Sequence, residues 1–94
     1  MSSKYVFTKG LKELRFLFCQ SSDQSAATRS FLKRAYPTMK KHNPHTPILI
    51  REASGTLPRV YARFGFGKEK EEALSGLSDQ QIEERITQIV KASS

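Results

Sequence analysis

Asn43 to Gly67 reads NPHTPILIREASGTLPRVYARFGFG, and two strands can be taken from it directly. Ile48-Leu49-Ile50 is a short apolar run between Pro47 and Arg51-Glu52, the pattern of a strand covered on both faces. Arg59 to Phe64 alternates instead. Val60, Ala62 and Phe64 share one face, and Arg59, Tyr61 and Arg63 the other. Pro58 leads into that second strand, and Gly65-Phe66-Gly67 leads out of it through a turn. Between the two, Ala53 to Leu57 is a loop containing Gly55.

Working outward, the upstream elements follow from changes of period. Leu14, Phe16 and Phe18 alternate with Arg15, Leu17 and Cys19, so a strand is expected near 13–19. The partly apolar second face suggests an interior strand. A polar turn over 20–25 leads to a helix near 24–41. Ala27, Phe31, Ala35 and Met39 recur there at fourth positions, with Leu32 beside them. Pro37 removes a backbone donor, so a kink is expected, or a helix that stops near Ala35 and restarts. Asn43-Pro44 ends it.

Downstream, Lys68 to Ala73 is charged throughout and suits an edge strand guarded by charge. Ser78 and Gln81 form a capping box for the last helix, near 78–91, and Leu77 with Ile82 is placed as a hydrophobic staple. Ile82, Ile86, Ile89 and Val90 then repeat at helical spacing. The order is β-α-β-β-β-α. A helix-length crossover makes the first two strands parallel, and the next two are close enough for a hairpin. This is a thioredoxin-like α/β arrangement, a mixed four-stranded sheet packed with two helices. Residues 1–10 read as a flexible basic arm and 11–92 as one domain. Pro58 sits where that fold commonly carries a cis-proline, although trans is the ordinary state of an X-Pro bond.

With 94 residues the chain is expected to be one domain, and its net charge of +7 suggests an anionic partner (RNA, lipid or an acidic protein surface), with solubility alone as the plainer reading. The charge is uneven. Residues 1–67 hold twelve Lys and Arg against three acids, and residues 68–94 hold four against six. No run approaches transmembrane length, and no secretory leader is expected. The acid-free, basic start is compatible with an import signal but short for one.

Little here can carry chemistry. One cysteine and two histidines, His42 and His45, are too few for a structural zinc site. No glycine-rich loop follows a strand, and no Ser/His/acid grouping stands out, so no cofactor is expected. Cys19 is the exception. It ends the first strand ahead of a helix N-terminus, in Cys19-Gln20-Ser21-Ser22, where a thiolate is favoured. A monothiol redox site there competes with a small buried hydrophobe, which is the simpler reading.

LKELRFLFCQ (Leu11 to Gln20), FLKRAY (Phe31 to Tyr36), MKKHNPHTPILIRE (Met39 to Glu52) and PRVYARFGFGKE (Pro58 to Glu69) carry a resemblance along nearly the whole chain. It is similar to the small thioredoxin-like accessory subunits of mitochondrial NADH:ubiquinone oxidoreductase, complex I, in a domain family shared with some mitochondrial ribosomal proteins. The resemblance implies a non-catalytic subunit on the matrix side of the inner-membrane complex. Its implied partners are other complex I subunits, chiefly the large iron–sulfur subunit of the NADH-oxidising module, with no flavin or cluster of its own. Some relatives carry a second cysteine where this chain has Ala53, so a disulfide switch does not transfer. An RNA-binding ribosomal protein is the alternative, and a redox protein using Cys19 a more distant one. Arg51, Glu52, Arg59, Tyr61, Arg63 and Phe66 are the expected partner interface, because Arg and aromatic residues are enriched at interface hot spots.

Overall fold

The computed structural model describes residues 7–91. Six main elements follow one another: strand β1 (Leu11–Phe18), helix α1 (Ala26–His42), strands β2 (Ile48–Glu52), β3 (Arg59–Phe64) and β4 (Glu69–Ala73), and helix α2 (Asp79–Lys91). The sheet order is β2-β1-β3-β4. β1 pairs parallel with β2 and antiparallel with β3, and β3 pairs antiparallel with β4. The expected thioredoxin-like topology is therefore present.

Alternation in the strands divides the sheet into two unlike sides. Leu14, Phe16 and Phe18 of β1 lie with Val60, Ala62 and Phe64 of β3, all buried. Both helices cover this side. Phe31 of α1 meets Phe16 at a ring separation of 6.4 Å. Helix α2 lies toward β4, where Arg85 reaches Glu72 at 3.0 Å, and buries Ile82, Ile86, Ile89 and Val90. Among the described residues the opposite side has no helix, and the domain is a two-layer slab of 34 × 32 × 19 Å.

Helix α2 begins as its sequence suggests. The Ser78 N–H donates to Gln81 Oε1 at 2.9 Å, and the Gln81 N–H donates to Ser78 Oγ at 3.2 Å. Leu77 packs against the core. The helices are tied to each other at the surface. Arg34 pairs with Asp79 and, at 2.8 Å, with Glu83, while Ser30 donates to Asp79 at 2.7 Å. That Ser30 hydrogen bond first, then Arg34, holds the Asp79 carboxyl below its ordinary value.

Helix α1 lies where it is expected, near 24–41, and rules out one of the two outcomes expected at Pro37. It does not stop at Ala35 but continues through Pro37 to His42. Pro37 and Lys33, whose carbonyl would have received the missing N–H, are both exposed, so water can satisfy the freed acceptor. The buried stripe also includes Thr28, whose hydroxyl is enclosed and has no hydrogen-bond partner among the described residues. Among the described residues all peptide bonds are trans, that of Pro58 included.

Phe7 is buried and donates its N–H to Asn43 Oδ1 at 2.9 Å. Thr8 donates to Val90 O at 2.9 Å. The rest of the expected basic arm, residues 1–6, lies outside the described residues.

Candidate docking face

The helix-free side of the sheet gathers most of the residues expected at an interface. Strand register sets them in rows. Arg51 of β2 stands beside Leu17 of β1, which stands beside Arg59 of β3. In the next row Leu49, Arg15, Tyr61 and Glu71 are neighbours across all four strands. Glu13, Arg63 and Glu69 form the third. Arg51, Arg59, Tyr61 and Arg63 thus share one surface. Glu52 does not: it stands opposite Phe18, on the helix side of β2.

Carboxylates already hold three of the four arginines on this face. Arg63 pairs with Glu13 at 2.9 Å, Arg15 with Glu13 at 3.2 Å and with Glu69 at 3.7 Å, and Arg59 with Glu71 at 2.9 Å. Glu13 is the centre of this network, with its side chain 15% exposed. The Arg63 hydrogen bond, assisted by Arg15 and opposed by burial, holds the Glu13 carboxyl below its ordinary value. Arg15 also lies over the Tyr61 ring, 5.3 Å from its centroid, where the ring's negative face attracts a cation. Arg51 alone among these arginines has no ion-pair partner among the described residues.

Arg59 and Arg63 of the expected interface are paired within the chain, with Glu71 and Glu13. The sequence pattern picks out neither these two counter-charges nor Glu69, which pairs with Arg15. Period two had placed Arg15 opposite the core face of its strand, but only the register reveals what it meets. β2 also differs from expectation. It is an edge strand, not one covered on both faces, and Ile50 is 39% exposed. A continuous apolar run does not reveal that nothing lies beyond it in the sheet. β1 is interior in strand order, as expected, though its Arg15 and Leu17 side is only half-buried.

Phe66 projects from the hairpin between β3 and β4. The Phe64 N–H bonds Lys68 O at 2.7 Å, and the Lys68 N–H approaches Gly65 O at 3.4 Å. Phe66 and Gly67 have φ of 63° and 76°, so both central residues are left-handed, as in a type I′ turn. Such a turn favours Asn-Gly. Here a phenylalanine takes the first position with its side chain fully in solvent, at 104% relative exposure.

Cys19 lies at the other end of β1. Its thiol is buried, and the Gly55 N–H donates to Sγ at 3.4 Å. Backbone hydrogen bonds, from Ser21 first and then Gly55, pull the thiol down to about 7. The Cys19 N–H donates to Ser25 Oγ at 3.0 Å, and Arg29 bridges the carbonyls of Cys19 and Ser22 at 3.0 and 2.9 Å. This loop is stitched closed around the sulfur. Among the described residues no group of His, Cys and acids could hold a metal, and no helix is long and apolar enough to cross a membrane.

Residues 28–79, from α1 to the start of α2, match the mitochondrial ribosomal protein L51 / S25 / CI-B8 domain. The chain belongs to this domain family. Across its full length it is 69% identical to the NADH-ubiquinone oxidoreductase 10.5 kDa subunit of Neurospora crassa, all of which it covers. It is 45% identical over 92 residues to NADH dehydrogenase [ubiquinone] 1 alpha subcomplex subunit 2 of Arabidopsis thaliana, spanning 98% of this chain and 95% of the other. The Mus musculus protein of the same name is 42% identical over 73 residues, 78% of this chain and 74% of the other. The family match includes β2, β3, β4 and the Phe66 hairpin, and therefore three of the four strands that build the open face.

Proposed function

We propose that this chain is a non-catalytic accessory subunit of mitochondrial respiratory complex I, held peripherally on the matrix side. Its open sheet face docks on the large iron–sulfur subunit of the NADH-oxidising module and supports assembly or stability of that module. The full-length similarity to the Neurospora crassa subunit carries the reading. Geometry supports it: the face carries four arginines and Tyr61, and Phe66 projects from the adjoining hairpin. Arg51 meets a partner acid or carbonyl, with Tyr61 and Phe66 as apolar anchors.

An RNA-binding ribosomal role draws on the shared domain family and on the net charge of +7. The open face weighs against it. Glu13, Glu69 and Glu71 occupy Arg15, Arg59 and Arg63, and phosphates would have to displace them. A basic groove for nucleic acid leaves its cations available.

Tagged chain expressed in cells lacking it should co-migrate on native gels with NADH-dehydrogenase activity. Migration with a ribosomal subunit, weakened by modest salt, would replace the reading. Cys19→Ser should leave incorporation unchanged; glutathione-dependent reductase activity of the purified chain would instead favour a redox role.

A further inference from the structure

The two edges of the sheet differ in a way the open face does not explain. β4 is EKEEA, with side chains of Glu69 and Glu71 about half exposed, a charged edge that discourages further pairing. β2, at the other edge, is ILIRE. Among the described strands it pairs only with β1, and Ile50, on the helix side, stands partly in solvent.

Hydrogen-bond phase shows which backbone groups β2 leaves open. The Leu14 N–H bonds Pro47 O at 3.0 Å, and the Ala53 N–H bonds Phe18 O at 2.9 Å. In a parallel ladder, alternate residues of a strand face its neighbour. Leu49 and Arg51 therefore face β1 with Pro47 and Ala53. The N–H and C=O groups of Ile48, Ile50 and Glu52 face outward, and no backbone partner meets them among the described residues.

We propose that this outer edge of β2 is a second attachment site, which takes an extended acidic segment of a partner protein as a fifth strand. Main-chain hydrogen bonds would hold the segment, and alternate side chains would select it. On the helix side the segment meets Ile50 and needs an apolar residue. On the open side it meets Leu49 and Arg51. From Lys40 through the end of β2 at Glu52 the chain carries Lys40, Lys41 and Arg51 against one carboxylate, Glu52, so the flank remains net basic. Acidic residues on the partner segment complement that flank. A second copy of this chain does not, because edge-to-edge pairing brings two basic flanks together, each on a chain of net charge +7.

Residue-resolved hydrogen exchange on the free chain and on the intact native complex tests the proposal. The amides of Leu49 and Arg51 are protected in both. Those of Ile50 and Glu52 should exchange freely in the isolated chain and slow by about a hundredfold or more in the complex. Equal exchange of the outward amides in both states overturns the proposal, even where Tyr61 and its neighbours become protected, so failure here leaves open-face docking intact. Ile50→Pro is the matching variant, since it removes an outward donor and no bond to β1. Its melting should stay near wild type while incorporation falls about tenfold. Normal incorporation of a folded Ile50→Pro chain counts against the fifth strand; if that variant does not fold, the exchange result on the unaltered protein decides. A photo-crosslinker placed at Ile50 in the assembled complex should capture an acidic extended segment. Capture of RNA or of another copy of this chain overturns the assignment.

Discussion

The two faces of the sheet are written by the same strands and behave as different materials. Toward the helices, β1 and β3 present Leu14, Phe16, Phe18, Val60, Ala62 and Phe64, none more than 4% exposed. One residue over in each case, they present Glu13, Arg15, Leu17, Arg59, Tyr61 and Arg63. Burial of apolar area stabilises the first face, about 1.5–3 kcal/mol for each large side chain. The second is held by ion pairs that stand partly in water and contribute little. Damage to the helix side should therefore appear as lost stability, and damage to the open side as lost assembly.

The largest test is Phe16→Ala, which should lower the stability of the free chain by about 3–5 kcal/mol in chemical denaturation. A loss below about 1 kcal/mol would mean that the helix side is not the source of stability. On the open face, Arg51→Glu should cost about 2–5 kcal/mol in partner affinity, read as loss from the complex on native gels. Melting of the isolated chain should move little, because Arg51 has no ion pair to lose. Parallel loss of melting temperature would erase the separation. Thr28→Val on the helix side should raise stability by about 1 kcal/mol, since it replaces an enclosed, unpartnered hydroxyl with a methyl.

The smallest effect belongs to pH. The Glu13 carboxyl is held below its ordinary 4.5 when the chain is folded, so protonation favours the unfolded chain. Its contribution is present above that ordinary value and lost as pH falls through the lower, folded one. Stability of Glu13→Gln, followed by denaturation from neutral pH into that acid range, should fall less steeply than wild type. Equal slopes would remove Glu13 from the centre of the open-face network.

Element types were legible wherever a local signal was strong. Alternation from Arg59 to Phe64, the Ser78 and Gln81 capping box and the isoleucine stripe of α2 each act within a few residues. Pro37 leaves the helix unbroken because its freed acceptor lies on the outer side, where water reaches it. Ile48 to Ile50 misled because an apolar run looks alike at the centre and the edge of a sheet. The candidate interface was half legible. Arg59, Tyr61 and Arg63 follow from period two within one strand. That Arg51 joins them, that Glu52 does not, and that Glu13 and Glu71 neutralise their neighbours all depend on cross-strand register, which arises only when distant segments pair.

If Phe66 is an anchor of the proposed docking, it sets the free and assembled states of the chain against each other. A bulky L-residue at φ 63° is disfavoured by about 1–2 kcal/mol, and its ring is bare in water. Phe66→Gly relieves the backbone and deletes the ring. By hypothesis, the isolated variant is at least as heat-resistant as wild type, yet it is displaced by wild-type chain when the two compete for a limiting supply of complex. A variant that melts earlier, or that competes equally, would show that the hairpin tip carries no such trade-off. Optimising this chain for solubility and thermal endurance would then select away the aromatic group that the proposed docking uses.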